Sequence, residues 1–251
     1  MRLRAIVAMV SVSALAACGG GSSGGGGGSV SPGGTVFANT SSAFYMPVHP
    51  GNTWTFTSGG KMVDAAPGTL VCSCTLNGTR YERIDLFDPT GAYGSSFLFT
   101  KYADALNGSV LTTALVGTST DRGATITPFS SGRMPVMNDA PVSGYVYQLN
   151  GGTSTITSAG QVQTLSDGRS IRNVANDTVS APGVQSISFG FAQGVGVTMV
   201  GVGTQTTPLA SFSIDAVNST SEARDTESAR PSVLTKPADA SSLAPLLAKL
   251  L

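Results

Sequence analysis

Histidine and tryptophan each occur once in the 251 residues, cysteine occurs three times, and only 11% of the side chains are charged. The scarcity of histidine leaves His49 as the one candidate for a histidine base in a Ser-His-Asp arrangement. Its place between Val48 and Pro50 reads as a turn instead. Two thiols and one remote histidine do not complete the usual ligand set of zinc, so no metal site is expected. The 14 basic side chains are matched by 14 acidic ones. That balance argues against a nucleic-acid binder, which carries a basic excess, and against a polybasic membrane-surface module. Also missing are a P-loop and a G-x-G-x-x-G that opens a helix in the body. No internal repeat is visible, and no long periodic helix lies in the body. A Gly-x-Ser-x-Gly run does occur from Gly20 to Gly24. It lacks the strand before and the helix after that a nucleophile elbow needs. Carboxylates are few. Glu82 and Asp85 would face opposite sides of a strand, and Glu82, between Arg80 and Arg83, reads as a partner in solvent ion pairs. No catalytic set emerges, and no enzyme activity is expected.

What is abundant is glycine, with 32 residues. Ten of them fall within the 16 residues 19–34, leaving 22 in the other 235. Such a segment has nothing to bury and pays heavily in backbone entropy on ordering. It reads as a flexible tether with a reach of roughly 20–24 Å. Ahead of it, Arg2 and Arg4 precede an apolar run from Ala5 to Ala14. The run is shorter than the roughly 20 residues of a transmembrane helix, so residues 1–17 read as a secretory signal peptide.

Leu15-Ala16-Ala17-Cys18 resembles the lipobox of bacterial lipoproteins. The resemblance implies cleavage before Cys18, a diacylglyceryl chain on its thiol and an acyl chain on its new amino group. That covalent lipid is the group expected on the chain, with no other cofactor. Two or more acyl chains anchor a protein stably without spanning the bilayer. In a Gram-negative source, Gly19 in place of an aspartate implies sorting to the outer membrane.

Residues 35–217 are expected to form one β-domain. Thr53-Trp54-Thr55-Phe56-Thr57 alternates strictly, which puts Trp54 and Phe56 on one face. Strands are also expected over 80–87, 95–100, 110–116, 144–149, 153–157, 160–165, 185–191, 195–202 and 210–214. Between them stand turn signals such as Pro50-Gly51-Asn52, Asn77-Gly78, Asn107-Gly108, Asn150-Gly151-Gly152 and Asp167-Gly168. This spacing predicts an all-β, antiparallel meander forming a sandwich or half-open barrel. Tyr81, Phe87, Tyr93, Phe97, Phe99, Tyr102, Tyr145 and Tyr147 could line a ligand site, although core packing accounts for most of them. Residues 218–251 read as a polar tail. It ends in a short helix whose Leu243, Leu246, Leu247 and Leu250 share a face, docking on the body, a partner or the membrane.

Cys72 and Cys74 are separated by one residue. In a strand their Cα atoms would be about 6.6 Å apart, at the long end of the disulfide window. A structural bridge, two packed thiols and a labile redox pair all remain open.

The stretch Phe44-Tyr45-Met46-Pro47-Val48-His49-Pro50-Gly51-Asn52-Thr53-Trp54 resembles the opening of a loose group of uncharacterised bacterial lipoproteins, with Gly-Asn-Thr-Trp leading into a first strand. Gly194-Val195-Gly196-Val197 resembles their closing strand. This resemblance implies an antiparallel β fold and a lipid anchor, and no catalytic residue. The expected protein is a lipid-anchored envelope protein with a structural or binding role. Its partners are the membrane through the anchor and an apolar ligand or another envelope protein. A carrier or chaperone that holds an apolar ligand or a lipoprotein in a β-sheet cavity, and a hydrolase or thiol-redox enzyme, are the alternatives.

Overall fold

The computed structural model describes residues 45–71, 76–104, 110–130, 132–214, 232–233 and 239–251. The expected signal peptide over residues 1–17, Cys18, the expected tether over 19–34, Cys72, Cys74, the turn expected at Asn107-Gly108 and most of residues 218–251 lie outside the described residues.

Two antiparallel runs of strands make up the body. The first comprises β1 (Thr53–Phe56), β2 (Lys61–Thr69), β3 (Arg80–Phe87), β4 (Tyr93–Asp104), β5 (Val110–Ser119) and β6 (Thr125–Pro128), with β7 (Met134–Asn138) returning to pair with β5. The second comprises β8 (Val146–Leu149), β9 (Gly152–Thr164), β10 (Ser170–Ser180), β11 (Ile187–Ala192), β12 (Gly196–Val202) and β13 (Gln205–Ser213). The runs join where β1 pairs antiparallel with β13, Thr53 opposite Ser213. A two-residue strand, β14 (Ser232–Val233), pairs in parallel with β6. The all-β antiparallel expectation holds, and the ladder is of the open kind. β8 ends it on one side, and no described strand pairs β8 with β7. Side chains bridge that gap: Asn138 Nδ2 donates to the Tyr147 hydroxyl at 2.8 Å.

Glycine and asparagine turns set the hairpins. Gly91, Gly151 and Gly168 all have φ near +83°, a conformation that costs glycine little. Alternation then sorts the side chains. Along β3, Ile84 and Leu86 enter the main core, while Tyr81 joins a smaller cluster with Leu70, Leu76, Leu98, Val116 and Ile126 on the opposite face. Trp54 anchors the main core, fully buried, with its Nε1–H donated to the Val195 carbonyl at 2.7 Å. Gly196 sits against the ring: φ is +93°, and a Cβ there would come within 2.9 Å of Trp54.

The C-terminal leucines complete this core. A 3-10 turn over Ala240–Ser242 leads into α1 (Leu243–Leu247), and Ala248–Leu250 forms a second turn. Leu243, Leu247 and Leu250 are fully buried in the main core. So short a helix is unstable alone, and packing holds it. Ser58 Oγ donates to the Leu250 carbonyl, and Lys249 Nζ to that of Gly94 at 3.4 Å. The backbone approach at this contact needs Gly60, where a Cβ would lie 2.6 Å from the Leu250 oxygen. Gly60→Ala is therefore expected to loosen the C-terminal segment and speed its removal by protease. Unchanged proteolysis would show that the contact does not hold the segment.

Candidate functional site

The inner face of β2 to β5 is apolar at the end where the Ala248–Leu250 turn packs against Gly60 and Gly94 and becomes polar toward the other. The register explains this. Met62 stands opposite Leu86 and Asp64 opposite Ile84, so Asp64 faces inward. Glu82 stands opposite the core residue Phe99, and Lys101, two residues further along β4, stands opposite Thr113. Residues 45–52 run along this end, and Asp139 follows β7.

Asp64 is fully buried. Its Oδ2 accepts the His49 backbone N–H at 2.7 Å, and its Oδ1 has no hydrogen-bond partner among the described residues. Burial raises its pKa to about 7. The His49 N–H opposes the rise, and Asp85 adds to it. Glu82 is raised to about 8, by burial first and by Asp64 second. Its buried Oε2 has no hydrogen-bond partner among the described residues. Burial lowers Lys101 to about 8 against the pull of Asp139. Lys101 Nζ lies 3.5 Å from Asp139 Oδ2, and Asp139 Oδ1 accepts the Tyr45 backbone N–H at 2.8 Å. Burial raises the Asp139 carboxyl, while Lys101 and the Tyr45 N–H pull it down. Four ionisable groups thus share one end of the interior, where desolvation favours the neutral form of each.

Asp177 is a further inward acid, opposite Phe189 and Ile156. It accepts Ser154 Oγ at 2.8 Å, and burial holds its carboxyl well above the ordinary range.

Glu82 departs from the sequence reading. It faces the core with Ile84 and Leu86, so it is an interior group and not a surface ion-pair partner. The ion pair of this strand belongs to Arg83 and Asp85 on the outer face, Nε to Oδ1 at 3.0 Å. The signal was the alternation itself, because Glu82 shares parity with two aliphatic residues. Lys101 carries the same signal, following Phe97 and Phe99 at steps of two.

The other candidates do not converge. Asp85 accepts Ser96 Oγ at 2.6 Å on the outer face. Asp88 orders the β3–β4 turn by accepting the Thr90 and Ala92 N–H groups. Asp121 accepts Ser119 Oγ at 2.8 Å and the Thr125 N–H at 2.7 Å in the β5–β6 turn. His49 stands apart from them, beside Asp64. The aromatic residues also divide between faces: Phe97 and Phe99 pack inside, whereas Tyr81 lies in the smaller cluster. Among the described residues no group of three or more His, Cys, Asp or Glu side chains is placed to hold a metal ion. No described helix is long and apolar enough to cross a membrane.

No family model matches the chain, and no curated protein or solved structure matches it either.

Proposed function

We propose that this is an exported envelope protein, held at the outer membrane by lipid on Cys18, whose β-body serves a structural or binding role. The observation that carries the reading is Leu15-Ala16-Ala17-Cys18, set between an apolar run with Arg2 and Arg4 ahead of it and a glycine-rich tether behind. A tether of that composition lets the body stand off the headgroups. The docking of the C-terminal leucines supports the same reading. Leu243, Leu247 and Leu250 are spent in the body's own core and are not presented to a bilayer. A carrier asks for a hollow interior, whereas Trp54, Phe56, Phe97, Phe99, Phe189 and Phe191 fill the inner face here. That filling favours a structural or surface-binding role.

The test is metabolic labelling of the full chain with a fatty-acid analogue. The natural sequence is expected to take up label and to fractionate with membranes, and Cys18→Ala is expected to lose both. Equal labelling of the variant would overturn the anchor. Lipid co-purifying with the unanchored Cys18→Ala body would favour the carrier.

A further inference from the structure

We propose that Lys101 and Asp139 condense into an intramolecular isopeptide bond across β5, with Glu82 placed to relay the proton. Both β4 and β7 pair with β5. Lys101 on β4 stands opposite Thr113 of β5, and Thr113 stands opposite Met137 of β7. Lys101 and Asp139 therefore straddle one strand and meet over it, with Nζ 3.5 Å from Oδ2. Both atoms are buried. Reacting groups held at this separation in fixed orientation gain most of what an intramolecular reaction offers over a bimolecular one.

Three features set this pair apart from a surface ion pair. First, the interior disfavours the charged forms. In water an ammonium and a carboxylate are hydrated and inert toward each other. Here burial pushes the amine toward its neutral, nucleophilic form and the carboxyl toward its acid form. Second, the Tyr45 backbone N–H points at Asp139 Oδ1 from 2.8 Å. That oxygen takes the negative charge when the amine adds to Cγ, and a fixed donor aimed at it acts as an oxyanion hole. Third, Glu82 is the diagonal cross-strand neighbour of Lys101 on the same inner face, because it stands opposite Phe99. Diagonal neighbours have Cα atoms about 7–8 Å apart, within reach of long side chains. Its Oε2 has no hydrogen-bond partner among the described residues, and burial keeps the carboxyl protonated to about pH 8.

The step balances without a co-reactant. The neutral Lys101 amine adds to Asp139 Cγ, forming the N–C bond. Glu82 hands its proton to Oδ2 and takes one back from the nitrogen. The C–Oδ2 bond breaks, and the oxygen leaves as water. One hydrogen stays on the new amide nitrogen, Oδ1 becomes the amide carbonyl, and nothing is oxidised or reduced. The amide that remains is uncharged, so the interior no longer holds an ammonium and a carboxylate, which are costly there unless well paired.

Tryptic digestion of the full chain followed by mass spectrometry reads the outcome. The expected product is a branched peptide in which residues 84–122, uncut after Lys101, are joined to residues 134–169. Its mass is one water below the sum of the two, and its fragmentation places the link between Lys101 and Asp139. Separate linear peptides, with cleavage after Lys101, would overturn the proposal. This measurement on the natural sequence needs no variant to fold. Lys101→Arg and Asp139→Ala are expected to abolish the branched peptide. Glu82→Gln is expected to reduce it strongly, and an undiminished yield there would overturn the role of Glu82.

Discussion

Replacing Trp54 with alanine is expected to destabilise the body by about 3–5 kcal/mol, the range for removing a large aromatic from a packed core. Trp54 is the one tryptophan of the chain and is fully buried between β2 and β13 neighbours. Truncation leaves a void that Gly196, closely packed on the ring, has no side chain to fill. It also strands the Val195 carbonyl, whose bond to the indole is 2.7 Å long. A buried acceptor left without its donor costs about 1–3 kcal/mol more. Domains are stable by only about 5–15 kcal/mol, so the variant should be largely unfolded or close to it. Trp54→Phe separates the two contributions, because it keeps most of the ring volume and loses the donor. Urea denaturation followed by far-UV circular dichroism measures both without relying on the tryptophan signal. A Trp54→Ala loss below about 1 kcal/mol, the size of an ordinary substitution, would show that Trp54 does not anchor the core.

The second large effect is on pH dependence. Asp64 is raised from 3.8 to about 7, and Glu82 from 4.5 to about 8. Both carboxyls keep their protons to a higher pH in the folded chain than in the unfolded one. Across that window the folded state binds more protons, so stability falls as pH rises. The contribution is complete below the unfolded values and is lost by the time pH passes the folded ones. Asp177, also raised, acts in the same direction. For Asp64 the difference of about three pH units corresponds to roughly 4 kcal/mol at most. Asp64→Asn keeps an oxygen for the His49 N–H and removes the titration. It should match the natural chain near pH 4 and exceed it in stability by a few kcal/mol at pH 8. Thermal unfolding across this range decides the matter, and parallel pH profiles for the two proteins would show that Asp64 is not the group responsible.

Much of the β framework was legible in the residues, because alternation and turn chemistry are local. The strand expected over 80–87 is β3 (Arg80–Phe87), and Thr53–Phe56 forms β1 with Trp54 and Phe56 buried. Elsewhere the local signal misled. Separate strands were expected over 153–157 and 160–165, yet β9 runs unbroken through Gly152–Thr164. It does so by shifting register against β10, with Gly160 at φ +70°. The strands β2, β6, β7 and β10 were not anticipated. Pro67 sits within β2 and Pro135 within β7, and in sequence a proline argues against a strand. Charged and polar residues such as Arg172, Asn173 and Asp177 disguise β10. The interior cluster was readable in part. The parity of Glu82 and Lys101 with their aliphatic and aromatic neighbours places them inside, but the meeting of Lys101 with Asp139 depends on β7 returning to β5. That pairing is tertiary and leaves no local trace.

The β1–β13 ladder also sets an order of events during folding. The hydroxyls of Thr57 and Thr207, 150 residues apart, meet at 3.3 Å beside it. A chain that emerges from its amino end makes β1 among the earliest strands and must leave one of its edges unpaired until β13 arrives. The leucines of α1 reach the core later still. Contacts that close such long loops slow folding and leave strand edges exposed for longer. The waiting edge of β1 is therefore the place where a chaperone would gain most by binding, and where a truncated chain would aggregate first.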